Sequence, residues 1–188
     1  MNLPNILTMS RIVLAVVLIF LLEAGTPLGN ILAVIVFGAA ALTDFYDGHL
    51  AKKQGLVSDF GKIMDPIADK VLLLSTMGVL AHTGVIAWWM FTVIAVREIA
   101  VTVSRLLAMR LGRVLAAERA GKIKTVAQMV AVSSILLYLA AKESEYCSYW
   151  FFNAQNWWSG IDQALMILAV ILTVYSGAEY FLHKAKGS

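Results

Sequence analysis

Asp44 and Asp47, followed by Asp65 and Asp69, are two closely spaced carboxylate pairs in a chain otherwise poor in charge. The stretch that holds them, from Thr43 to Lys70, reads TDFYDGHLAKKQGLVSDFGKIMDPIADK. At about 100° per residue, Asp44, Asp47, Gly48 and Ala51 fall near 0, 300, 40 and 340°, one stripe of a helix on which carboxylates alternate with small side chains. Gly61, Asp65 and Asp69 form a matching stripe, and the short basic loop between makes the two helices antiparallel neighbours. An ionisable side chain inside a membrane span costs about 2.5–3.5 kcal/mol on insertion scales, so such a cluster marks function. Four converging carboxylates stay ionised only if cations neutralise them, and two divalent ions would balance the charge. Oxygen-only donors favour magnesium, manganese or calcium over zinc, and His49 falls off the aspartate stripe. A pair of Mg²⁺ ions suits displacement at phosphorus, and an attacking hydroxyl needs a carboxylate base within reach. Asp69 lies one turn beyond Asp65. The small residues are compatible either with close helix packing or with the approach of a flat base or phosphate to the backbone.

The elements that must position these groups are membrane helices. Of 188 residues, 60% are hydrophobic and 14% charged, against roughly 45–50% and about 25% in soluble domains. Mean hydropathy is +0.79. Such a composition excludes a water-soluble globule and a disordered chain, and Cys147, alone, excludes an internal disulfide. A net charge of +3 is too small to argue for nucleic acid as a partner. Apolar runs at 7–22, 31–45, 63–80, 85–107, 126–140 and 164–182 predict an all-α integral membrane protein, six transmembrane helices in a single domain over residues 1–188. The first run has no charged leader before it and reads as a retained span rather than a secretory signal. Pro66 is expected to bend or start the helix that carries Asp65.

Charge sets the orientation. Arg11, Lys52, Lys53, Lys62, Arg105, Arg110, Arg113, Arg119, Lys122, Lys124, Lys184 and Lys186 fall on one side of the predicted spans and Lys142 on the other. The excess of positive charge places both termini in the cytoplasm and the carboxylates at the cytoplasmic end of the bundle. The opposite side has its longest loop at 142–160, rich in tyrosine, phenylalanine and tryptophan, which suits either an interfacial aromatic belt or a packed external loop.

The pattern Asp44-x2-Asp47-Gly48-x2-Ala51-Lys52-x8-Gly61-x3-Asp65-x3-Asp69 resembles the signature of the CDP-alcohol phosphotransferases. Seven of its eight fixed positions agree; Lys52 stands where the family usually has arginine, which keeps the charge but loses the forked donor geometry. Four further elements are similar to those of bacterial members that join CDP-diacylglycerol to sn-glycerol 3-phosphate and release CMP. They are PNxLTxxR at Pro4 to Arg11, FGKxxDPxADK at Phe60 to Lys70, Arg97-Glu98, and GKxKTxxQ at Gly121 to Gln128. The resemblance implies a phosphatidyltransferase of the bacterial inner membrane, active as a homodimer. It implies that Asp44, Asp47 and Asp65 hold two Mg²⁺ or Mn²⁺ ions, Asp44 and Asp65 bridging them, while Asp69 helps bind metal and serves as general base. Gly48, Ala51, Lys52, Ser58 and Gly61 would contact the CDP part of CDP-diacylglycerol, joined by Asn5 and Thr8.

For the phosphate of glycerol 3-phosphate, the candidate cations are Arg105, Lys122 and Lys124, with the hydroxyl of Thr125. They also fit the positive-inside bias or a grip on anionic headgroups. Arg97 and Glu98 lie deeper and are expected to pair with each other. Two other functions fit less of the pattern. Transfer to inositol phosphate or serine would use the same aspartates, and a divalent-cation transporter would need carboxylates spread along a path rather than gathered at one end.

Overall fold

Six helices, and no strand among the described residues, make up the computed structural model: α1 (Leu3–Glu23), α2 (Pro27–Gln54), α3 (Asp59–His82), α4 (Trp88–Arg110), α5 (Arg119–Lys142) and α6 (Ser148–Lys186). The structure describes the backbone of residues 3–54, 59–110, 119–142 and 148–186, with side chains except at 3–8, 44–54, 59–66, 68–69, 109–110, 119–120, 148–155 and 183–186.

Local chemistry explains the breaks. Gly25 takes φ of 57° just beyond α1, the left-handed position that ends a helix at no steric cost to glycine. Thr26 then caps α2: its Oγ1 accepts the Gly29 amide at 3.1 Å, and Pro27 fills the first helical position, where a missing N–H is no loss. Glycine is required at position 29, because a Cβ there would sit 2.6 Å from the Leu21 carbonyl oxygen. Gly84, at φ of 75°, ends the α3 segment in the same way, and the Val85 and Ile86 amides both bond back to the Leu80 carbonyl.

Helix α1 lies against both α2 and α3; α2 also packs on α5, α3 on α4, and α6 on α4 and α5. Leu18, Met77, Leu80, Ile94, Ile135, Leu136 and Met166 fill the centre. Ala15, Ala33, Ala40, Ala131 and Ala169 are buried between helices, where small side chains let backbones approach.

One reading of the sequence needs correction and another is narrowed. The predicted loop at 142–160 is helical from Ser148, because α6 runs through Gly160 without a break and reaches 39 residues. From Ser148 to Ser159 there is neither proline nor glycine, so no strong breaker interrupts the helix where a loop was expected. Pro66 does not start its helix: α3 begins at Asp59, seven residues earlier. Among the described residues, Gly121–Lys142 and Asn156–Leu182 are long and apolar enough to cross a membrane by length and composition.

Candidate active site

The helices carry the signature at two ends. Asp44, Asp47, Gly48, Ala51 and Lys52 belong to the last part of α2, helical through Gln54, while Gly61, Asp65 and Asp69 belong to the first half of α3. Unbroken helix over both stretches is the condition for the spacing to form stripes. The side chains of these residues, and of Asn5 and Thr8 in α1, lie outside the described set, as does Ser58 altogether. Among the described residues no group of three or more His, Cys, Asp or Glu side chains gathers.

The acceptor-side candidates are described. Lys122 is exposed near the start of α5, and the Thr125 hydroxyl donates to the Gly121 carbonyl one turn back at 3.1 Å. Arg105 stacks over the ring of Tyr180 on α6, its guanidinium carbon 5.7 Å from the ring centre. Tyr180 is buried, and among the described residues its hydroxyl and the Arg105 Nε have no hydrogen-bond partner. Lys124 is 3% exposed and pairs with Glu98 of α4, itself 1% exposed.

Glu98 is the centre of a polar cluster that joins four helices. Its Oε2 lies 2.8 Å from the Lys70 ammonium of α3, and its Oε1 pairs with Lys124 of α5 and with Arg97 at 3.3 Å. Gln128 Nε2 donates to the same Oε1 at 3.5 Å and to the Thr173 hydroxyl of α6 at 2.9 Å; that hydroxyl donates in turn to the Ala169 carbonyl at 2.6 Å. Arg97 Nη2 donates to Ser176 of α6 at 2.6 Å. The expected Arg97–Glu98 pair is therefore one edge of a larger cluster. A second buried carboxyl stands apart from it: Asp162 of α6 accepts from Ser134 of α5 at 2.5 Å.

Sequence reasoning assigned no role to Lys70, Gln128, Thr173, Ser176 or Tyr180. A signal was present, since polar side chains inside apolar runs need partners. Which partners they find depends on helix rotation, and spacing along one chain does not carry that. Close approach depends on Gly177, where a Cβ would meet Arg97 Cγ at 3.1 Å and Nε at 3.3 Å. Arg97 is held by Glu98 and Ser176 and has little room to retreat. Gly177→Val is expected to cost about 1–3 kcal/mol through overpacking, read as a lower melting temperature in detergent. An unchanged melt would mean that Arg97 is not held there.

The two aspartate pairs keep the signature spacing on α2 and α3, and Lys70, directly after Asp69, ties α3 to the cluster at Glu98. Residues 1–175 match the family model for CDP-alcohol phosphatidyltransferase, and the chain belongs to that family of transferases. It is 38% identical to the CDP-diacylglycerol–glycerol-3-phosphate 3-phosphatidyltransferase of Bacillus subtilis, over 96% of this chain and 93% of the relative. The protein of the same name from Salmonella choleraesuis is 35% identical over 99% of this chain and 96% of its own length. A probable phosphatidylglycerophosphate synthase of Mycobacterium tuberculosis is also 35% identical, over 95% of this chain and 79% of the relative.

Proposed function

We propose that this protein transfers the phosphatidyl group of CDP-diacylglycerol to sn-glycerol 3-phosphate, forming phosphatidylglycerophosphate and releasing CMP. The observation that carries the reading is the likeness, along nearly the whole chain, to relatives named for that reaction. We place the helices in the inner membrane as six spans with cytoplasmic termini. The broad apolar exposure of the outer helix faces supports this: Val13 and Phe20 of α1, Val96 and Ile99 of α4, and Ile171 and Tyr175 of α6 all lie open. A second copy of the chain is the expected partner.

The donor set fits divalent metal: four carboxylates, two each on α2 and α3, offer only oxygen, which suits Mg²⁺ or Mn²⁺. Asp44, Asp47, Asp65 and Asp69 would hold two ions, which when bound would neutralise the diphosphate and ease departure of CMP. Asp69 takes the proton from the acceptor hydroxyl as that oxygen attacks the lipid-bearing phosphorus. Gly48, Ala51, Lys52, Ser58 and Gly61, with Asn5 and Thr8, bind and orient the nucleotide. Arg105, Lys122 and Thr125 attract the dianionic acceptor, and Lys124 contributes from its place beside Glu98.

The test supplies purified protein in detergent with CDP-diacylglycerol, Mg²⁺ and labelled glycerol 3-phosphate, with inositol phosphate or serine as competitors. The expected result is labelled lipid product and equimolar CMP, unaffected by equimolar competitor. Preferential transfer to a competitor would overturn the acceptor assignment.

A further inference from the structure

Three separate stretches of the sequence meet at one carboxylate. Lys70 closes the FGKxxDPxADK stretch, Arg97-Glu98 is the second, and Lys124 with Gln128 belongs to GKxKTxxQ. All converge on Glu98, which is 1% exposed.

We propose that Glu98 is a positioning residue that fixes the helix of the general base relative to the helix that faces the acceptor. This rests on the reaction proposed above. Glu98 uses its two oxygens separately, Oε2 for Lys70 on α3 and Oε1 for Lys124 on α5. Lys70 directly follows Asp69, and consecutive Cα atoms are about 3.8 Å apart, so holding Lys70 limits the rotation and depth of α3 where the base sits. Lys124 is flanked by Ile123 and Thr125 and stands two residues after Lys122, so the same carboxylate sets the depth of the acceptor-side turn of α5. The pairs Arg97–Ser176 and Gln128–Thr173 tie both to α6. Transfer needs the attacking oxygen, its base and the phosphorus in line, and a misplacement of about 1 Å can cost a hundredfold in rate. A buried ion pair is weak evidence for stability, since neutral replacements of both partners are often tolerated, so geometry is the more economical reason for placing one here.

The experiment compares wild type, Glu98→Gln, Glu98→Asp, Lys124→Met and the double variant Glu98→Gln/Lys124→Met. All are full-length protein in lipid nanodiscs with Mg²⁺, and kcat, KM for each substrate and melting temperature are measured. Glu98→Gln is expected to lose tenfold to a hundredfold in kcat, with KM for CDP-diacylglycerol within about twofold of wild type. Glu98→Asp, which keeps the charge but is one methylene short of spanning both lysines, is expected to fall between. The double variant, which still leaves Lys70 and Arg97 without their carboxylate, is expected to melt no lower than Glu98→Gln and yet turn over no faster than the poorer single variant, because the two residues act as a unit. Wild-type kcat in the double variant, or in Glu98→Asp, would overturn the proposal and leave Glu98 a structural partner only. So would an unchanged kcat in Glu98→Gln, whatever Lys124→Met does to KM for glycerol 3-phosphate, since Lys124 also contributes to the acceptor site. If wild type prefers another alcohol, the same variants are read with that acceptor, so the acceptor assignment and the role of Glu98 fail separately.

Discussion

Asp69→Asn is expected to reduce phosphatidyl transfer by about a hundredfold to ten-thousandfold, the range that a positioned general base contributes. Asparagine keeps the size of the side chain and can still donate or accept a hydrogen bond, but it cannot take the acceptor's proton at neutral pH. Asp65→Asn should fall to the same floor by a different route, since it withdraws one of the negative charges that balance divalent cations. The two are separated by metal titration. Raising Mg²⁺ is expected to recover part of the activity of Asp65→Asn and none of that of Asp69→Asn. Substitution should not unfold either variant, because removing one of several mutually repelling carboxylates relieves strain rather than creating it. Product formation is followed as CMP release, with the melting temperature as the control for folding; wild-type turnover in Asp69→Asn would end the assignment of the base.

Removal of metal should have an effect of similar size. Protein dialysed against EDTA is expected to lose transfer to the background of the assay, and Mg²⁺ or Mn²⁺ should restore it. Zn²⁺ should not serve, because the donors are oxygen and no cysteine or histidine joins them in the signature. The half-saturating Mg²⁺ concentration should rise at least tenfold in Asp44→Asn, as one charge in the set is lost. Activity that survives exhaustive chelation would sink the metal assignment while leaving the family membership untouched.

How far the architecture was legible depends on which residues are considered. The six apolar runs correspond to the six helices, because the distance between turn-forming clusters such as Gly25-Thr26-Pro27 is visible without knowing any contact. The stretch before Gly160 was not legible. Its aromatic residues suit a membrane interface as loop or as helix, and one glycine is a weak breaker when apolar sequence continues on both sides. The aspartate signature was read directly, since its information lies in spacing along two helices. The Glu98 cluster was only half legible: its charged members stood out in apolar sequence, but the pairing of Lys70 and Lys124 with one carboxylate depends on how α3, α4 and α5 are rotated. Lys124 shows the limit most clearly, being a plausible phosphate ligand by sequence and a buried partner of Glu98 in the fold.

The brief turns at Gly25 and Gly84 close the α1–α2 and α3–α4 pairs at the end remote from the aspartates, since Asp44 lies seventeen residues beyond Pro27 on α2 and Asp69 fifteen residues before Gly84 on α3. Each pair is joined like the arms of a pair of tongs. The aspartate-bearing stretches of α2 and α3 therefore lie at the ends that these two turns leave untied, and the depth of those ends relative to α1 and α4 is set by packing between helices rather than by a short covalent connection.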